Sequence, residues 1–135
     1  MTTALRSLLA AAAALVVLAT ACSNSNEPTV PGTNPEVTNA TDNFQLQTSS
    51  VTGASTTVTY SWRNTGIAAS INQSTTVSAG TMTLTVLDAS GAQVYSRSLA
   101  DNGTYNTLTG TTGNWTIRVV FANASGTVNF RAQRL

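Results

Sequence analysis

From Phe44 onward the chain alternates apolar and polar positions with a period of two. Phe44-Gln45-Leu46-Gln47 opens the pattern, and Val58-Thr59-Tyr60-Ser61-Trp62-Arg63 and Met82-Thr83-Leu84-Thr85-Val86 repeat it. Trp115-Thr116-Ile117-Arg118-Val119-Val120-Phe121 is the longest run, and Val128 and Phe130 resume the alternation after it. Successive side chains of a strand point to opposite faces. This period therefore places Tyr60, Trp62, Met82, Leu84, Val86, Trp115, Ile117, Val119 and Phe121 on one face, with Thr, Ser and Arg on the other. No stretch carries a 3.6-residue apolar stripe; the nearest, residues 66–77, is rich in Thr and Ser and lacks helix caps. The predicted class is all-β: a single antiparallel β-sandwich, immunoglobulin-like or jelly-roll, of about seven or eight strands.

Turn chemistry punctuates the pattern. Asp88-Ala89-Ser90-Gly91 and Asn123-Ala124-Ser125-Gly126 share one form. In each, an Asx side chain can bond the backbone ahead of it, and a Gly three residues on supplies the positive φ that closes a turn. Both are read as hairpin turns. Shared turn physics accounts for the likeness, since two copies are too few for a repeat architecture. Asp101-Asn102-Gly103 adds a third hairpin signal, because Asn-Gly favours the tight turns that join antiparallel strands.

The first 41 residues follow different rules. Residues 1–7 carry one charge, Arg6, and residues 8–21 carry none. A charged start, an apolar middle and a small-residue end make a secretory signal. The apolar run is shorter than the roughly 20 residues of a permanent bilayer-spanning helix. It closes on Leu18-Ala19-Thr20-Ala21-Cys22. Ala19 and Ala21 ahead of the lone cysteine resemble the bacterial lipobox, with Ala19 standing where leucine is commoner. The resemblance implies a diacylglycerol thioether on Cys22 and cleavage just before it. It places the protein outside the cytoplasm, anchored by its lipid to the bacterial cell membrane or, as Ser23 after the Cys suggests, an outer membrane. The polar Ser23-Asn24-Ser25-Asn26 offers nothing to pack a thiol, and no second Cys exists to pair with it. The alternative is an ordinary secretory signal followed by a free thiol. All three prolines, Pro28, Pro31 and Pro35, fall in the next stretch, which has few core-forming residues. The chain thus divides into a signal over residues 1–21, a lipidated Cys with a disordered linker over 22–41, and a β-sandwich domain over 42–135. As a coil the linker would span roughly 25 Å, and about 60 Å if extended.

Charge and missing residue types narrow the chemistry. Six arginines and five acids give a formal net charge of +1, with no lysine and no histidine. Nucleic acid is excluded as a partner, because phosphate binding rests on clustered cations. Without histidine there is no Ser-His-Asp triad, imidazole base or His-ligated zinc, and lipidation of Cys22 removes thiol chemistry. No cofactor is implied and the chain is read as a non-enzyme. A hydrolase would need two of Asp42, Asp88 and Asp101 to converge. Asp101 and Asn102 with nearby carbonyls are the weak candidates for a calcium site, in the absence of any run of spaced acids. Tyr95 and Tyr105 are the candidate ligand contacts, as stacking surfaces for a sugar. Trp62, Tyr60 and Trp115 belong to the core face. Arg63, Arg97, Arg118 and Arg131 take outward strand positions, and would form an anionic-ligand patch only on a shared face.

Gly113-Asn114-Trp115-Thr116-Ile117-Arg118-Val119 followed by Ser125-Gly126-Thr127-Val128 resembles the closing hairpin of pre-peptidase C-terminal and proprotein-convertase P-type accessory domains. The resemblance covers about a seventh of the chain and implies a β-sandwich ending in a short turn and a last strand. Those families often hold calcium on acidic loops, whereas the loop residues here are mainly Ser, Thr and Asn. The whole chain also resembles the small lipoproteins common in bacterial genomes. Together these features imply a non-catalytic binding or structural module, held at the membrane by the lipid on Cys22, for an envelope protein or a glycan. The alternatives are a carbohydrate-binding module using exposed aromatics, and a hydrolase.

Overall fold

The computed structural model describes Val30 and residues 32–135; the signal segment, Cys22 and the first part of the linker lie outside the described residues. Among the described residues there are seven strands: β1 Glu36–Ala40, β2 Asn43–Asn64, β3 Ala69–Gln73, β4 Thr76–Leu87, β5 Gln93–Ser98, β6 Gly103–Asn106 and β7 Gly113–Arg134. All pairings are antiparallel. β2 and β7 run side by side from Asn43↔Gln133 to Asn64↔Gly113. β1 adds to the first part of β2, β3 to the last part of β7, and β6 to β3. On the other half, β4 pairs with β7 and β5 with β4.

Strands of 22 residues would reach about 70 Å if straight, too long for a domain of this size. They fold at a corner instead. The register slips between Thr48 and Thr56 on β2, and between Val77 and Thr81 on β4. Positive φ values mark the same zone: Ser50 at 62°, Gly53 at 54°, Gly80 at 66°, Asn123 at 45° and Gly126 at 141°. Extra residues of this kind bend a strand and let it pass from one layer to the next. One continuous sheet is thereby folded over on itself as a sandwich. The Phe44 and Tyr60 rings, on the two halves of β2, meet across it at 5.2 Å.

Alternation fills the space between the layers. Every residue assigned to the inward face by period is buried, Trp62 and Trp115 fully, with their rings edge-on at 6.0 Å. β7 buries Trp115, Ile117, Val119 and Phe121 before the corner, then Ala124, Val128, Phe130 and Ala132 after it. The phase changes from odd to even there, so both halves of the strand face the core.

Three expectations are corrected. Asn123-Ala124-Ser125-Gly126 is not a hairpin turn but a bend inside β7. The chain does not reverse because β2 and β4 stay paired with β7 on both sides of it. Ser55 Oγ takes the Asn123 N–H at 3.0 Å, and Ser125 Oγ takes the Gly53 N–H at 2.9 Å. The expected closing hairpin is therefore one bent strand. Asp101-Asn102-Gly103 does not join paired strands either, since β5 pairs with β4 and β6 with β3. Finally, the folded domain starts ahead of Asp42. β1 lies within the stretch read as linker, and Val30 is buried. Val37 packs against the core, Asn39 Nδ2 donates to the Ser61 carbonyl at 2.9 Å, and Trp62 Nε1 donates to the Ala40 carbonyl at 3.1 Å.

The end opposite the corner is tied by Asp42. Its carboxylate accepts the Thr65 N–H at 2.7 Å and the Thr65 hydroxyl at 2.7 Å, and pairs with Arg134 at 3.2 Å. These partners, the Thr65 amide foremost, hold its pKa below the usual carboxylate value. The tips of β2 and β7 and the β1–β2 turn are thereby fastened together.

Candidate functional site

The two candidate tyrosines come together, but not as an open platform. β5 carries a bulge at Val94, because Val86 pairs with Tyr95 and Leu87 with Gln93. Val94 and Tyr95 consequently both turn inward. The Tyr95 hydroxyl donates to Gln73 Oε1 at 2.7 Å, and Gln73 Nε2 donates to the carbonyls of Ser98 and Asp101 at 3.0 and 2.8 Å. Burial pushes the Tyr95 phenol up to about 12, so it stays a neutral donor. Tyr105 is half-buried, tilted 46° from Tyr95 with centroids 6.5 Å apart. Its hydroxyl donates to the Asn102 carbonyl at 3.2 Å, and the Arg97 guanidinium lies 3.9 Å from its ring centre. A sugar needs an exposed, flat ring face. Here the ring faces are turned inward or covered by a cation, and the cluster serves to join β5 to β3 and β6.

The candidate calcium residues are likewise engaged. Asn102 Oδ1 accepts the Thr75 N–H at 2.8 Å and its carbonyl accepts Tyr105, while Asp101 lies 3.8 Å from Arg97. Among the described residues no three His, Cys, Asp or Glu side chains form a group able to hold a metal ion.

Asp88 is a buried turn anchor. One carboxylate oxygen accepts the Ser90 and Ala92 N–H groups, both at 2.9 Å, and the Ser90 hydroxyl at 2.7 Å; the other accepts the Thr111 N–H at 2.8 Å. The Ser90 hydroxyl is the main cause that lowers its pKa to about 2; burial opposes the shift and the three amides reinforce it. Asp88 and Asp101 stand at opposite ends of β5, about 20 Å apart along the strand. They form no acid–base pair.

Protonating Asp88 weakens the turn, and the sign follows from its depressed native pKa. Its stabilising contribution is complete above the unfolded value near 3.8 and is lost as pH falls through about 2. The melting temperature should drop across that window. Asp88→Asn should melt lower at neutral pH and show a shallower acid slope in a circular-dichroism pH series. An acid slope equal to the wild type's would refute the assignment.

The arginines divide between faces. Arg63 and Arg118 share the outer face of the layer that contains β4, where Arg118 pairs with Thr59 and Thr85. Arg131 lies on the outer face of the other layer, donating to Gln45 Oε1 at 3.2 Å. Arg97 covers Tyr105. No single anionic-ligand patch results.

Two surface features remain. A polar groove of about 330 Å³ runs beside the corner, lined by Asn34, Glu36, Ser49, Ser74, Thr127 and Asn129 among others. At the opposite end, three large apolar side chains stand in solvent: Ile67 at 55 % exposure, Leu108 at 70 % and Leu135 at 59 %. Their backbones are pinned to neighbouring segments. The Ile67 carbonyl accepts the Gly110 N–H at 2.7 Å, the Leu135 N–H donates to the Ala68 carbonyl at 3.1 Å, and the Leu108 N–H donates to the Val94 carbonyl at 2.9 Å. The periodic pattern gives no sign of this tip, because each residue stands alone among small or polar neighbours. The available signal was the lone apolar residue in Gly66-Ile67-Ala68 and in Thr107-Leu108-Thr109.

No known protein family, curated protein or solved structure matches the chain. The functional reading rests on the residues themselves.

Proposed function

We propose that this protein is a lipid-anchored module of the bacterial cell envelope that acts by binding another envelope protein and performs no catalysis. The observation that carries the binding reading is the apolar tip of Ile67, Leu108 and Leu135. Exposed apolar side chains at one end of a domain favour contact with a protein surface. The tip is also left uncovered by anchoring. The chain enters beside the corner, where Glu36 pairs with Gln47, and β1 carries it about 17 Å toward the tip end. A protein partner is favoured over a glycan because the rings of Tyr95 and Tyr105 are engaged within the domain. The lack of histidine and the separation of Asp88 from Asp101 support a non-catalytic role.

The test is photo-crosslinking in intact cells from a reactive residue at Leu108, with Ser96 on a side strand as the control. A discrete crosslinked envelope protein is expected from position 108 alone, and Ile67→Asp should abolish it. Equal crosslinking from both positions, or none from 108, would show that the tip is not the binding surface.

A further inference from the structure

Residues 56–64 of β2 form one border of the layer completed by β7, β4 and β5. Part of this border is closed. The carbonyls of Ser61 and Arg63 point away from β7 and accept Asn39 Nδ2 and the Asp42 N–H, each at 2.9 Å. Backbone groups of a strand repeat their direction every second residue. Thr57 and Thr59 therefore turn their N–H and C=O groups to the same border, where no described residue bonds them. The far border of this layer is better sealed: on β5, the Val94 carbonyl takes the Leu108 N–H and the Ser98 carbonyl takes Gln73.

Exposed edges are normally protected by charge, proline or a bulge. Residues 57–62, Thr-Val-Thr-Tyr-Ser-Trp, contain no charge or proline, and their register with β7 is unbroken. We propose that this edge pairs with the same edge of a second copy, antiparallel about a two-fold axis. The occupant follows from the chemistry of the edge. A two-fold rotation matches its donors to its own acceptors. With Thr57 of one copy opposite Thr59 of the other, about four backbone hydrogen bonds form. The exposed threonine side chains become cross-strand pairs, a favourable combination. In that register Arg63 falls opposite Gly53, so like charges do not meet. A charged strand from another protein would find no counter-charge on residues 54–62. The layer continues unbroken through both copies, and with the axis along the membrane normal both N-terminal segments leave at equal height.

Sedimentation equilibrium of the full chain in density-matched detergent tests this. The wild type should sediment at twice the single-chain mass. Thr57→Lys and Thr59→Lys place like charges across the axis and should halve that mass while keeping the wild type's β-rich circular-dichroism spectrum, because both side chains are exposed. Thr57→Ser, which keeps the edge neutral, should remain paired. A wild type of single-chain mass at the highest concentration reached, or lysine variants that stay paired, would overturn the proposal.

Discussion

Gly126→Ala should destabilise the domain by about 3 kcal/mol or more, from positive-φ strain and forced overpacking together. Gly126 sits at the corner with φ of 141°, and a Cβ there would run into the carbonyl oxygen of Thr76. That oxygen is backbone in a paired strand and cannot rotate away as a side chain can. Gly80 faces the same obstacle on the other side of the corner, against the carbonyls of Asn123 and Ala122. Gly53 is the matched control. It also has positive φ, at 54°, but an added Cβ meets nothing within 4 Å. Gly53→Ala should therefore lose only the conformational part, about 1 kcal/mol. Denaturant unfolding followed by Trp62 and Trp115 fluorescence separates the two. Equal losses would mean that close approach at the corner does not hold the layers in place.

The corner also marks the limit of what the sequence reveals. Alternation identified the inward residues from Tyr60 to Phe121 because burial on one face of a strand imposes a period of two wherever the strand is regular. Where the strands are irregular, the pattern misleads. Asp88-Ala89-Ser90-Gly91 and Asn123-Ala124-Ser125-Gly126 have the same local chemistry, yet one reverses the chain and the other bends it. The difference is supplied by distant residues, since β2 and β4 flank β7 on both sides of Asn123. Alternation does not place Tyr95 inward for a related reason: a bulge at Val94 turns two consecutive residues inward. β1 leaves no alternation to read, because Glu36-Val37-Thr38-Asn39-Ala40 has little apolar content of its own and is held by pairing with β2. At the site level, Asp101, Asn102, Tyr95 and Tyr105 were legible as residues of interest. The side-chain hydrogen-bond partners of Tyr95 and Asn102 lie 22 or more positions away, and the sequence does not show which are satisfied. The apolar tip is assembled from three separate positions, and a lone apolar residue in each loop does not show that they share one end of the domain.

Cys22→Ser should have the largest effect on the protein in the cell: loss of membrane attachment with the fold unchanged. Residues 22–135 carry five acids and five arginines without a basic cluster, so no electrostatic patch supplements the lipid at an anionic membrane. Among the described residues no helix is long and apolar enough to cross a membrane. In the proposed arrangement the acyl chains on Cys22 are the whole of the attachment, and two chains are enough for stable anchoring where a single one is marginal. Removing the sulfur removes the bond on which they are built. The domain itself, whose core includes Val30 but not Cys22, should melt at the same temperature in both forms.

The most direct measurement is the intact mass of the protein expressed in a bacterial host, taken with membrane fractionation, for the wild type beside Cys22→Ser. The proposed function predicts a wild type that lacks residues 1–21, carries a diacylglycerol-sized addition and pellets with membranes, while Cys22→Ser gains no lipid mass and does not pellet through it. Release of both forms into the soluble fraction, equally processed and without added mass, would contradict the lipid anchor and the envelope role built on it.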